Sequence, residues 1–352
     1  MKYYFGLDAL RASMMLLGLF VHAAALFNYT DFWVKSELAP NLFITNLGNF
    51  ISIFRMETFF LLCGFLGAML VQHKTQDYFL DNRKKRVLIP LISGVFLLSI
   101  ALPLFIPSLY PLNISAEGLI RHFWFMITLL LLSLISITNA YKNIIKTLLK
   151  RGIIANIAFS TIIFTISSFL LFLLLKIVNP FSSDAYYILN IILNKTIYYL
   201  IFYIIGNLIY SGSNIFLFIK SKWFIALSLG LVALSVILFN YKIQNPNPPF
   251  LIQVVKSYID FFSSLSLSLI LFYYFLIITK INNTIKFLVK SSLIVYFFHY
   301  PITYILGPIL DPYFSNVYFL YITTITLTFV MSLMVFIILK QFNLTRILFG
   351  IK

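Results

Sequence analysis

Long apolar stretches, separated by short polar segments, recur along the whole chain. Each is about twenty residues or longer, the length that a helix needs to cross a bilayer. The pattern therefore predicts an all-α, polytopic membrane helical bundle with ten transmembrane helices. Their expected bounds are 8–27, 43–71, 87–107, 121–140, 153–178, 191–212, 223–241, 257–279, 291–310 and 317–339.

The composition agrees with this pattern. Hydrophobic residues make up 61% of the 352 residues, charged residues only 10%, and the mean hydropathy is +0.97. These values exclude a soluble fold of this length, and we expect one membrane domain over residues 1–352. The first apolar run contains Arg11 and has no cleavage site of small residues after it. It is therefore predicted to remain as the first span and not to be removed as a signal peptide.

The chain has a net charge of +16, and the distribution of its basic residues indicates how the spans are oriented in the membrane. If the N-terminus is cytoplasmic, 19 of the 26 basic residues fall on the inner side of the predicted spans. Such a bias is typical of the cytoplasmic loops of membrane proteins, and it predicts that both termini are cytoplasmic. The basic residues lie in short loops between spans, so we expect membrane lipid and no nucleic acid as their partner.

The first span contains two ionisable residues, Arg11 and His22. On an α-helix they lie only about 20° apart around the axis and roughly 16 Å apart along it, with Met15 and Gly18 between them on the same face. Because ionisable residues in membrane segments are costly, we interpret this stripe as a track for a ligand. The alternative is that Arg11 reaches the headgroups and His22 is a packed, hydrogen-bonded residue.

The second span contains Arg55 and Glu57 and is longer than a bilayer requires, so we expect it to be tilted or broken. Counted from the inner boundary, Glu57 and His22 lie at the same depth, about 21 Å. A carboxylate beside the imidazole would fix its tautomer and raise its basicity, as a general base requires. The alternative is that Arg55 and Glu57 satisfy each other or the outer headgroups.

Four adjacent cations, Arg83 to Arg86, follow the second span in the predicted cytoplasmic loop. Arg83 and Arg86 are one helical turn apart, and arginine makes bidentate contacts with phosphate. They could therefore hold the phosphates of a nucleotide-bearing donor. The alternative is a topology signal or contact with anionic lipids.

Two further histidines lie in predicted spans. His122 opens the fourth span and could contact an acceptor outside the cytoplasm, although interfacial histidines are more often structural. In the ninth span, Pro301 predicts a break at Tyr300 and a cavity lined by Tyr296 and His299. The alternative is a proline kink beside a hydrogen-bonded histidine.

The sequence contains no zinc-ligand spacing and no nucleotide-binding loop, so we expect no metal site.

Several of these segments together resemble the acyltransferase family 3 membrane proteins. The similar segments are GLDALRASMMLLGLFVHAA, FRMETFFLLCGFLGAML, RKKRVLIPL, RHFWFMITLLLL, SSLIVYFFHYPITYI and RILFGIK. The family's arginine and histidine, separated by ten residues, fall on Arg11 and His22, and its RxxR motif falls on Arg83 and Arg86. The HxWF and YxxHxP phrases match at His122 and His299. Cys63 stands where the family usually has a serine.

The resemblance implies an acyl-CoA donor at the cytoplasmic side, expected to be succinyl-CoA. The acceptor would be a hydroxyl of a periplasmic glucan or another envelope glycan, at the inner membrane, with glucan-synthesis proteins as partners. Arg11, Arg83 and Arg86 would bind the CoA phosphates, and the pantetheine arm would pass Gly18. His22 would deprotonate the acceptor hydroxyl, with Glu57 as its partner by the depth comparison. Substrate contacts are expected from His122, Tyr296 and His299.

A membrane transporter or flippase for an anionic or glycan solute is the alternative function. Arg11, His22, Glu57 and His299 would then line a pathway or carry protons.

Overall fold

The computed structural model of the protein describes residues 3–28, 36–177, 183–212 and 219–351. Within these ranges, ten helical segments are long and apolar enough to cross a membrane, and no strand occurs. They span Phe5–Phe27, Leu42–His73, Gln76–Phe105, Ala116–Ser136, Ala155–Leu174, Ser183–Tyr210, Lys222–Gln244, Phe250–Leu276, Asn283–Tyr313 and Val317–Leu339. The predicted all-α, multi-pass membrane fold is confirmed. The cytoplasmic placement of both termini stays a prediction, and the expected end of the fifth span at residue 178 lies outside the described residues.

The α-helices are numbered along the chain. They are α1 Phe5–Ala24, α2 Leu42–His73, α3 Gln76–Arg83, α4 Ile89–Gly94, α5 Leu102–Phe105, α6 Ala116–Ile120, α7 Trp124–Ser136, α8 Asn139–Lys150, α9 Ile153–Ile177, α10 Ser183–Leu189, α11 Thr196–Tyr210, α12 Lys222–Gln244, α13 Phe250–Leu276, α14 Asn283–Leu310, α15 Val317–Leu339 and α16 Asn343–Leu348. Wider π-helical turns occupy Lys84–Leu88, Val95–Ala101 and Asn190–Lys195.

Polar residues at the boundaries explain where several helices begin. The side chains of Thr75, Ser115, Thr138, Asn282 and Asn316 accept hydrogen bonds from the first backbone N–H groups of α3, α6, α8, α14 and α15. These N–H groups have no partner inside their own helix, so each cap stabilises the helix start by about 1 kcal/mol.

The chain divides into two compact units. The first unit consists of Lys2–Phe59 and Leu217–Phe342, and the second consists of Phe60–Phe216 and Asn343–Lys352. The division falls within α2, whose first part belongs to the first unit. The single domain expected over residues 1–352 stays a prediction.

In the first unit, α14 packs against both α1 and α15, and α12 packs against α13. Polar side chains connect these apolar helices. Tyr321 on α15 donates a hydrogen bond to the carbonyl oxygen of Phe20 on α1 over 3.1 Å. Thr303 on α14 and Thr328 on α15 are joined over 3.3 Å. Such bonds contribute to helix association where apolar burial gives no preference for one neighbour over another.

The segment before α2 is held to the end of α14 by Asp311. Its carboxylate accepts hydrogen bonds from the Ser36 hydroxyl and, over 2.6 Å, from the backbone N–H of Glu37. This contact holds Ser36 and Glu37 at the end of the helix that carries His299.

In the second unit, the part of α2 after Phe59 lies directly against α11. A Cβ atom at Gly64 would overlap the carbonyl oxygen of Tyr203, and one at Gly206 would overlap the carbonyl oxygen of Leu61. Backbone therefore meets backbone on both sides of this crossing, which small residues alone permit. Cys63, next to Gly64, is buried here.

The predicted break at Tyr300 is wrong. The second span, expected to be tilted or broken, is not broken, and its tilt stays a prediction. The helix α14 continues from Asn283 to Leu310 through Pro301, and α2 continues for 32 residues. Proline removes one N–H donor, but membrane helices tolerate the loss because neighbouring groups and small local adjustments satisfy the affected backbone. The long second span therefore has no break, and Tyr300 remains helical.

Candidate functional site

The first unit brings two predicted site histidines together. The imidazole rings of His22 on α1 and His299 on α14 lie 5.0 Å apart between centroids. Tyr300 lies 5.2 Å from His22, and Tyr296 lies 5.1 Å from His299. The sequence placed His22 and His299 in separate candidate clusters, whereas the packing of α1 against α14 makes them one group.

The His299 ring has a defined orientation. Its Nδ1 atom lies 2.5 Å from the backbone carbonyl oxygen of Tyr296, which can only accept a hydrogen bond. Nδ1 therefore carries the proton, and in the neutral ring Nε2 is the acceptor nitrogen. The side chain of His299 is fully buried, at 0% exposure, while His22 is half-buried. His22 is thus the member of the pair with greater access to a substrate.

Gly18 lies one turn before His22 on α1 and is covered by two side chains. A Cβ atom at Gly18 would lie 2.6 Å from Arg55 Nη1 and 3.0 Å from His299 Nε2. The missing side chain allows α2 and α14 to place a guanidinium and an imidazole against α1. The expected passage of a pantetheine arm past Gly18 stays a prediction.

Arg55 is the α2 residue that reaches this cluster, which the sequence did not predict. It is 8% exposed, and its Nε and Nη1 atoms are buried without a hydrogen-bond partner among the described residues. Neither atom therefore binds the Glu57 carboxylate. Arg55 Nη1 and His299 Nε2 both lie against Gly18. We refer to His22, Arg55, Tyr296 and His299 as the histidine cluster.

The other two predicted site residues of the first unit lie on α1 and α2. Glu57 is 6% exposed, a burial that the predicted pairing with His22 requires, and the pairing itself stays a prediction.

Arg11 Nη2 forms an ion pair with Asp8 Oδ1 over 3.1 Å, and Asp8 also accepts a hydrogen bond from the Tyr3 hydroxyl. Arg11 is half-buried, and its predicted contact with phosphate stays a prediction.

The second unit contains the predicted phosphate-binding pair. Arg83 ends α3, and Arg86 lies in the π-helical turn that follows. Arg83 is half-buried: its guanidinium lies 4.8 Å from the Phe79 ring centroid, and its Nε atom is buried without a hydrogen-bond partner among the described residues. Arg86 is exposed. A Cβ atom at Gly350, two residues after α16, would lie 3.7 Å from the Cα atom of Arg86, so the segment after α16 lies against this turn.

A pocket of about 390 Å³ opens beside Arg83. Arg83 Nη2 would lie 3.7 Å from a Cβ atom at Gly67, which lines the pocket. The lining also includes Gln72, Tyr141, Lys142, Lys146 and Tyr203. A cavity that combines aromatic side chains with two lysines and a nearby arginine is suited to an anionic ligand with a planar group.

His122 belongs to the second unit and lies in a short 3₁₀ turn, Arg121–Phe123. It is buried, with its ring centroid 4.2 Å from that of Phe123. The preceding Arg121 has a φ of +44°, and its guanidinium carbon lies 4.1 Å above the Tyr110 ring. The predicted contact of His122 with an acceptor stays a prediction.

A cation and two stacked aromatic rings adjoin this turn. Lys195 Nζ lies 3.7 Å above the Trp124 ring, which is stacked on Tyr199 at 5.6 Å. Lys195 is not among the residues predicted from the sequence. The described residues contain no group of three or more His, Cys, Asp or Glu side chains that could hold a metal ion.

Comparison with known sequences gives the class of protein. The chain matches the acyltransferase domain of acyltransferase family 3 over residues 4–340 and belongs to that family. It is a multi-pass membrane acyltransferase.

The similar proteins carry a more specific name than the family. Glucans biosynthesis protein C of Salmonella typhi is 25% identical over 336 residues, which cover 88% of this chain and 85% of the relative. The protein of the same name from Escherichia coli strain SMS-3-5 is 26% identical over 343 residues, 88% of this chain and 84% of the relative. The one from Salmonella schwarzengrund is 28% identical over 223 residues, or 57% of each chain. No solved structure matches the chain with significance.

Proposed function

We propose that the protein transfers an acyl group, expected to be succinyl, from cytoplasmic acyl-CoA to hydroxyls of a periplasmic glucan or another envelope glycan, at the inner membrane. The contact between His22 and His299 is the observation that carries this proposal. Two imidazoles on neighbouring membrane helices, one half-buried and one with a fixed tautomer, are suited to proton transfer from an alcohol. The names of the relatives support a glucan as acceptor.

In the proposed reaction, His22 removes the proton of an acceptor hydroxyl as its oxygen attacks the thioester carbonyl carbon. The tetrahedral intermediate then collapses, the C–S bond breaks, and the CoA thiolate receives the proton from His22. Glu57 would orient the His22 ring, and Tyr296 and His299 would contact the substrates. A closed site that holds both reactants together would supply much of the rate.

The donor is proposed to bind by its nucleotide end in the pocket beside Arg83. Arg83 and Arg86 would hold its phosphates, and the pocket offers Tyr141 for contact with the base. His122 would contact the acceptor. A pocket lined by two lysines, in a chain of an acyltransferase family, supports acyl-CoA as a substrate, and no other cofactor is proposed.

The function is tested with purified protein in proteoliposomes. Labelled succinyl-CoA is supplied on one side and osmoregulated glucan on the other, and both CoA release and labelled glucan are measured. We expect one ester formed for each CoA released. Movement of glucan or succinate across the membrane without CoA release would contradict the proposal and favour a transporter.

Replacing Arg83 with glutamine is expected to raise the KM for acyl-CoA about 10- to 100-fold, because a charge-assisted hydrogen bond contributes about 1.5–3 kcal/mol. The effect on kcat should be smaller. The matched control is Lys85→Gln, since Lys85 is exposed in the same turn and is paired with Asp81 over 2.7 Å. Equal KM values in the two variants would argue against phosphate binding by Arg83.

Replacing Gly18 with alanine should reduce activity more than stability. The new methyl group would displace the flexible end of Arg55 and press on His299, and a misplacement of about 1 Å can cost about 100-fold in rate. The gain in helix propensity, about 1 kcal/mol, offsets much of the packing cost. Both kcat and thermal denaturation are measured. An unchanged kcat would contradict a catalytic role for this packing.

A further inference from the structure

The guanidinium of Arg55 has two buried nitrogen atoms without a hydrogen-bond partner among the described residues. They are Nε and Nη1, and they belong to a side chain that is 8% exposed. A buried guanidinium nitrogen without a hydrogen-bond acceptor is costly in any protein, and more so inside a membrane. The two nitrogens of Arg55 are therefore donors available to a negatively charged group of a substrate.

The position of Arg55 relates it to the proposed base. Its Nη1 and His299 Nε2 converge on Gly18, and the His299 ring contacts the His22 ring at 5.0 Å. Gly18 and His22 are one turn apart on the same face of α1, which is about 6 Å along the axis. That distance accommodates a hydroxyl oxygen at His22 in near-attack contact with a carbonyl whose oxygen points toward Arg55.

We propose that Arg55 is a further catalytic residue that binds the carbonyl oxygen of the thioester and stabilises its negative charge in the tetrahedral intermediate. This inference rests on the proposed acyl transfer. As the acceptor oxygen forms its bond to the carbonyl carbon, the π electrons move to the carbonyl oxygen, which receives hydrogen bonds from Nη1 and the neighbouring N–H groups. When that oxygen re-forms the double bond, the C–S bond breaks and the electrons leave with the CoA sulfur.

The burial of Arg55 favours this role for a physical reason. Donors that are already in place, in a site from which water is excluded, do not have to reorganise when the charge develops. Gly18 contributes by leaving the guanidinium in contact with α1 rather than separated from it by a side chain.

The test compares Arg55→Gln and Arg55→Lys with the native protein, using succinyl-CoA and acetyl-CoA as donors. We expect Arg55→Gln to lower kcat about 100- to 1,000-fold with both donors, with much smaller changes in KM. Arg55→Lys keeps the charge but changes the donor geometry, and its kcat should fall at least tenfold. The control is Lys256→Met, because Lys256 is a half-buried cation of the same unit that is already paired with Asp260.

Each outcome decides the proposal. An equal loss with both donors supports it, whereas a loss confined to succinyl-CoA overturns it and assigns Arg55 to the terminal carboxylate of the donor. An unchanged kcat in Arg55→Lys and Arg55→Gln also overturns it. If Arg55→Gln does not fold, the kcat of Arg55→Lys decides alone. Native protein that transfers no acyl group would refute the proposed function itself, and the role of Arg55 with it.

Discussion

Replacing His22 with alanine is expected to lower kcat for acyl transfer about 100- to 10,000-fold, the usual contribution of a general base. The substitution removes the half-buried imidazole of the histidine cluster but leaves the close packing at Gly18 one turn away. We therefore expect the variant to be folded and to bind acyl-CoA normally. Steady-state transfer from labelled acyl-CoA, with thermal denaturation in parallel, measures both properties.

The matched control is His73→Ala, which removes an exposed histidine from the end of α2, where it contacts the Tyr210 hydroxyl over 2.9 Å. This control should retain full activity. A folded His22→Ala variant with native kcat would refute His22 as the base. If His299→Gln alone abolished transfer, the base would be His299, whose Nε2 is the acceptor nitrogen of its ring.

Replacing Gly206 with alanine is expected to destabilise the second unit by about 1–3 kcal/mol or more, the range for overpacked interiors. The added methyl group would overlap the carbonyl oxygen of Leu61, and backbone cannot move aside as a flexible side chain can. The two helices would have to separate along the whole crossing of α2 and α11. Thermal or detergent denaturation of the purified protein measures the loss.

Gly230→Ala provides the control for this substitution. Gly230 lies within α12, and a Cβ atom there would meet nothing within 4 Å. Alanine should therefore be neutral or stabilising, by up to about 1 kcal/mol of helix propensity. Equal stability of the two variants would contradict the backbone contact at Gly206.

The sequence predicts the spans well because apolar length is a local property that the bilayer selects directly. All ten predicted spans have a counterpart among the described helices. The pairing of helices is not local, so the sequence could not predict that α14 brings His299 to His22. Depth along the helices allows Glu57 as a partner of His22. The alternative is that Arg55 and Glu57 satisfy each other or the outer headgroups.

Two expectations have the same origin. They follow from the chemistry of single residues, a helix break from Pro301 and an open passage from Gly18. In the fold, α14 tolerates Pro301, and the space at Gly18 is filled by side chains from α2 and α14. A glycine in a membrane helix allows either a ligand or a neighbouring helix to approach, and only the tertiary structure distinguishes the two.

The crossing of α2 and α11 also contains a natural chemical reporter. Cys63 is the single cysteine of the chain, and it is buried beside Gly64. Because this thiol is inaccessible in the packed unit, a membrane-permeant maleimide should label it only when the two helices separate. The native protein can therefore report such opening during turnover by mass spectrometry, without any engineered label.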